Sequence, residues 1–178
     1  MNRLLEFSRD RKLVSIRRGD IDENAIQGFI LGFSDHLVLI QYVFDFILDG
    51  LMVLRRSDIT DIKCSATDEF QKELLVVERL FQRIPFEGQF NLHDWKSIID
   101  QFSKQYELII LEDERPEVAT FLIGKVQRIS KSSVSVEYFS GVGNWDEKPS
   151  KIAFANISSC QVNTNYINVY QRHFERSP

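Results

Sequence analysis

Residues 37–47, LVLIQYVFDFI, are almost wholly apolar. Val38, Ile40, Tyr42, Phe44 and Phe46 fall on one alternating face, and Leu39, Val43 and Ile47 on the other. β-Branched and aromatic residues at this density read as a strand. A strand apolar on both sides needs two covers, such as a curled core on one side and a helix or second unit on the other. Ser34-Asp35-His36 marks a tight turn before it, and Asp49-Gly50 a hairpin turn after it. Upstream, Leu13–Ile16 opens a strand that runs into Arg17-Arg18-Gly19-Asp20, followed by a loop over 21–24. Ile26–Phe33 then forms a strand whose Gly28 and Gly32 signal a bulge or bend. Downstream, Leu51–Arg56 and Ile59–Lys63 complete the set.

From Ala66 the period changes. Thr67, Asp68 and Glu69 can cap a helix that carries Phe70, Leu74, Leu75, Val77, Leu80 and Phe81 through Arg83. Pro85–Asn91, with Gly88, reads as a linker. Asp94 starts a second helix over 95–104, with Trp95, Ile98, Ile99 and Phe102 at helical spacing. The strand programme then returns. Leu108–Leu111 leads into a loop over Glu112–Pro116, and Val118–Ile129 follows with Gly124 standing where Gly28 stood. After Ser130-Lys131-Ser132 comes Val134–Tyr138, whose clean alternation predicts one wet face. A longer hairpin loop, Gly141–Ser150, carries Trp145; Ile152–Phe154 and Ile157–Cys160 close the copy. A short helix over 2–11 precedes the first copy as 95–104 precedes the second.

Several residues in this programme resemble the Sm-like small-barrel family. Gly28-x-Ile30, Asp35 and Leu37-Val38-Leu39 look like its first motif, and Leu54–Ile62, with Ile59 and Ile62, like its second. The chain departs from the pattern in three places. Leu39 stands where RNA-binding members carry asparagine, Arg56 where they carry glycine, and Ala155 is the second copy's counterpart of Arg55. The resemblance implies a mainly β fold with helices, an α+β chain of two tandem five-stranded SH3-like barrels joined by a helical segment. Its divisions would be 1–65, a connector over 66–92, and 93–178. It also implies barrels that join edge to edge, hence homo-oligomers through strand edges, with an intramolecular pairing replacing one such contact here.

Chemistry is sparse by comparison. With 22 basic and 26 acidic residues the net charge is −4, and no segment is a basic arm for nucleic acid. His36, His93 and His173 are scattered, and Cys64 and Cys160 do not cluster, so neither a metal nor a cofactor is expected; free buried thiols are. Gly141-Val142-Gly143-Asn144 lies in a hairpin, not ahead of a helix, and so reads as a turn rather than a phosphate cradle. The carboxylate pairs Asp45/Asp49 and Asp58/Asp61 have no acid–base partner in view. The first ten residues carry acids and no long apolar run, and no window is long enough to span a bilayer, so a cytoplasmic chain is expected without a membrane partner.

The one basic set is Arg9, Arg11, Lys12, Arg17, Arg18, Arg55 and Arg56. Phe86, Phe90, Trp95 and Trp145 are the candidate exposed aromatics, Trp145 foremost because an exposed Trp is a frequent anchor. The expected binding surface is therefore Arg17, Arg18, Arg55, Arg56 and Trp145. The expected function is that of a non-enzymatic interaction or regulatory protein with a protein partner. RNA binding is the alternative, and an enzyme with a site between the halves a remote one.

Overall fold

The structure, a computed structural model, describes residues 3–115 and 117–176. Asn2, where the first helix was expected to begin, and Pro116, the end of the expected 112–116 loop, lie outside them. The strands are β1 (Leu13–Arg18), β2 (Asp22–Phe33), β3 (Leu37–Phe44), β4 (Ile47–Arg55), β5 (Asp61–Lys63), β6 (Ile109–Asp113), β7 (Thr120–Ile129), β8 (Ser133–Tyr138), β9 (Ser150–Ala153) and β10 (Ser159–Val162). The helices are α1 (Arg3–Arg9), α2 (Ala66–Val77), α3 (Trp95–Gln105) and α4 (Asn165–Arg176).

All ten strands belong to one antiparallel sheet in the order β5-β1-β2-β3-β4-β10-β6-β7-β8-β9. This overturns the expectation of two five-stranded barrels joined by a helical segment. The reason is that a strand has only two edges. β4 spends one on β3 and the other on β10, where Val53 lies opposite Cys160 and Leu51 opposite Val162. No edge is left with which β4 could meet β5. β10 is likewise held between β4 and β6 and is not open to β9. The halves do pair edge to edge within the chain, but as parts of one open sheet.

Each half still curls over a core. Leu54 of β4 and Ile62 of β5 come from opposite ends of the first five strands, yet share one buried cluster with Val14, Ile16, Ile30, Val38 and Ile40. Cys160, Val134, Val136 and Ile152 do the same in the second half. The doubly apolar β3 has the two covers that its composition requires. Val38 and Ile40 face the first core, while Leu37 and Leu39 join the second cluster with Ile98, Ile99 and Phe102 of α3. α2 covers Val43, Leu13 and Phe29 through Leu75. Each such fully buried Ile, Leu or Phe contributes roughly 1.5–3 kcal/mol.

Several local expectations are corrected. The hairpin turn after β3 lies at Asp45-Phe46, both in the left-handed region (φ 45° and 65°), and not at Asp49-Gly50. Ile47 therefore opens β4 opposite Phe44. Gly50 (φ 75°) sits within β4, packed on the Val162 and Asn163 backbone, where a side chain would not fit. β2 starts at Asp22, so the expected 21–24 loop is mostly strand, and β6 runs through Asp113. α2 ends at Val77, with a separate 3-10 turn at Phe81–Arg83. Ser65 rather than Thr67 caps it, in a capping box with Asp68. The C-terminal helix α4 was not anticipated, although Ile167, Tyr170 and Phe174 are at helical spacing and pack on Phe139 and Ile110.

Candidate interaction surfaces

The structure scatters the expected binding surface. Arg17 is exposed on β1, but its neighbour Arg18 is buried. Arg18 donates through both Nη atoms to Glu114, at 2.6 and 2.8 Å, linking the end of β1 to the end of β6. Arg55 donates to the carbonyls of Ala155 (2.7 Å) and Ile157, and so braces the 3-10 turn before β10. Arg56 donates to the Ser34 carbonyl at 2.6 Å and lies 3.4 Å from Asp35. Trp145 packs edge-on to Phe139 (5.0 Å between centroids) and against Phe174 of α4 (4.8 Å), with the Lys125 ammonium 5.4 Å from its centroid. Phe86, Phe90 and Trp95 are likewise taken up in packing. Elsewhere in the basic set, Arg9 pairs with Asp10, Arg11 with Glu87, and Lys12 with Glu69.

Arg18 belongs to a polar network at the seam between the halves. Ser158 Oγ donates to Glu114 at 2.7 Å, and Ser159 Oγ (2.6 Å) and Gln161 Nε2 (2.8 Å) donate to Glu112. Glu112 is pushed above the usual carboxylate range, first by burial and also by the Glu114 charge, against the pull of the Ser159 hydrogen bond. Burial pushes Glu114 upward too, but the Arg18 and Ser158 hydrogen bonds outweigh it and hold Glu114 below its ordinary value. The two carboxyls thus have opposite pH signs. Glu114 stabilises the fold above the unfolded-state pKa, and that contribution is lost as pH falls through its folded value. Glu112 favours the fold below the unfolded-state pKa and loses that contribution as pH rises through its folded value. Glu112→Gln keeps an acceptor oxygen and removes the charge. It is expected to raise stability in urea at pH 7 by about 1 kcal/mol, with the gain vanishing near pH 4.

Among the surface features open to a partner, two involve residues singled out in the sequence. A cleft of about 450 Å³ is lined by Asp35, His36, Leu37, Arg55, Trp95 and Phe154, among others. It brings together Asp35 and Arg55 from the two motif-like stretches, but Arg55 enters it already holding two carbonyls. The second feature is the β3–β4 hairpin tip, where Phe44, Phe46 and Ile47 are 55, 48 and 58 % exposed. Phe44 and Ile47 are opposite one another across the hairpin and Phe46 lies in the turn that joins them, so the three are neighbours and not scattered surface residues. Sequence reading assigned them to a buried strand. The available signals were the length of the run, beyond an ordinary strand of five or six residues, and Asp45 as its single charge.

Among the described residues no group of three or more His, Cys, Asp or Glu side chains is arranged to hold a metal ion. All three histidines are exposed, Cys160 is a buried free thiol and Cys64 a half-buried one. No helix among the described residues is long and apolar enough to cross a membrane. No protein-family model matches this chain, and neither a curated protein nor a solved structure gives a significant match.

Proposed function

We propose that the protein is a non-enzymatic interaction protein that engages a protein partner through the β3–β4 hairpin tip. The observation that carries this is the outward display of Phe44, Phe46 and Ile47 at a hairpin tip whose left-handed backbone disfavours Phe46. Left-handed φ at both turn positions calls for Asn or Gly. Phe46 there costs about 1 kcal/mol or more and gains little burial in return. Large side chains kept at such a cost on a surface suit an interface. The internal use of Arg18, Arg55 and Arg56 supports a protein partner over RNA, because an RNA backbone needs free cations. A cytoplasmic setting, in which both thiols stay reduced, accords with this reading. The edges that suit self-association are those of the end strands β5 and β9, each with one unpaired edge among the described residues.

The test is affinity capture with the full chain beside a Phe44→Ser/Ile47→Ser variant of equal thermal stability. A partner that binds the first and not the second is the expected result. No partner together with turnover in a broad activity screen overturns the reading, as does salt-dependent affinity for single-stranded RNA in filter binding.

A further inference from the structure

The hairpin tip is apolar at its surface and acidic around it. Asp45 lies in the turn itself, and Asp49 lies just past Ile47 on β4. Both carboxylates are felt by Tyr42, whose hydroxyl is pushed up by burial and then by the charges of Asp49 and Asp45. The Tyr42 and Phe44 ring centroids are 6.3 Å apart, so the aromatic patch and the acids occupy one place. β2 runs alongside with Gln27 opposite Val43. Among the described residues neither Asp45 nor Asp49 has an ion-pair partner; Asp49 accepts instead from the Asn165 amide at 2.5 Å. That bond sets the first turn of α4, with exposed Tyr166, beside the hairpin. Arg83 lines the pocket beside Leu48 and Gly50 without pairing with Asp49. Two carboxylates left without an ion pair select for the sign of what can approach them.

We infer that the tip docks a cationic amphipathic segment of a partner protein. Its apolar side chains would meet Phe44, Phe46 and Ile47, and its lysines or arginines would answer Asp45 and Asp49. The inference rests on the interaction reading above and specifies the partner's chemistry. A lipid surface fits poorly, because anionic headgroups and these carboxylates repel one another.

The full chain is titrated, with backbone amide NMR as readout, against three short amphipathic peptides of leucine with lysine, glutamine or glutamate on the polar face. Vesicles of phosphatidylcholine with phosphatidylserine form a fourth arm. The lysine peptide is expected to shift the amides of residues 42–49 and to bind about tenfold more tightly than the glutamine peptide, the margin falling as salt rises. Asp45→Asn, tolerated in a left-handed turn, is expected to cost about threefold of that affinity. Phe46→Gly relieves the backbone and should keep or raise the melting temperature while weakening binding, which separates docking from folding. Equal binding of the lysine and glutamine peptides at the tip overturns the charge inference and leaves the interaction reading standing. Preference for the glutamate peptide, shifts confined to other residues, or vesicle binding through the tip each overturns it as well. If no peptide engages the tip while a captured partner still depends on Phe44 and Ile47, the stated chemistry alone fails.

Discussion

Gly124→Ala is expected to be the most damaging single methyl in the molecule. A Cβ at Gly124 would overlap the carbonyl of Glu137 on β8, so β7 and β8 cannot keep their pairing with it in place. The obstacle is main chain, with no rotamer to relax it, and the expected cost is at least about 3 kcal/mol in urea unfolding. Gly28, its counterpart in β2, is less tightly shut in. Its Cβ would come within 2.6 Å of the Gln41 carbonyl oxygen and 2.8 Å of the Ile40 side chain, and the latter can move. Gly28→Ala should therefore be the milder of the two. Gly141→Ala has nothing within 4 Å to meet and should stay within about 0.5 kcal/mol of the parent. Equal effects at Gly124 and Gly141 would show that β7 and β8 do not approach as described.

Arg18→Met should be comparably severe for a different reason. The Arg18 side chain is 4 % exposed, and its guanidinium forms both hydrogen bonds to Glu114 across the seam. Its removal leaves Glu114 charged, half-buried and close to Glu112, with only the Ser158 and Ser159 hydroxyls as side-chain donors. Breaking a buried pair from one side typically costs about 3–5 kcal/mol. Arg18→Met with Glu114→Leu removes both charges and should recover much of that loss, because a well-packed apolar pair is close to neutral against the ion pair. Equilibrium unfolding of the two single variants and the double variant measures the coupling. Additive losses without recovery would mean that the pair does not act as a unit.

The strand programme and most of the packing were legible in residue patterns. The alternation in Val134–Tyr138, the two apolar faces of the 37–47 run as far as Val43 and the helical spacing from Trp95 to Phe102 each report local burial, and each is realised. The shared glycines also have a local reason, a close backbone approach between neighbouring strands. The partner of each strand edge was not legible. Nothing in Leu51–Arg55 distinguishes an edge that closes on β5 from one that accepts β10, since both choices bury the same faces. The basic set failed for a related reason. Arg18, Arg55 and Arg56 read as surface charge because their acceptors lie far along the chain or on the backbone: Glu114, the Ala155 carbonyl and the Ser34 carbonyl. The hairpin tip was hidden inside the very run that decided the fold. Asp45-Phe46 lacks the glycine or asparagine that would have announced a turn, so the exposed Phe44, Phe46 and Ile47 passed for core.

The central structural claim is that β4 and β10 join the halves into one sheet, and native-state hydrogen exchange of their amides tests it most directly. The junction strands, with Val53 opposite Cys160, should exchange as slowly as the β2 and β3 amides and open only with the whole sheet. Rapid exchange along β4 and β10, with the two halves opening independently of each other, would contradict it.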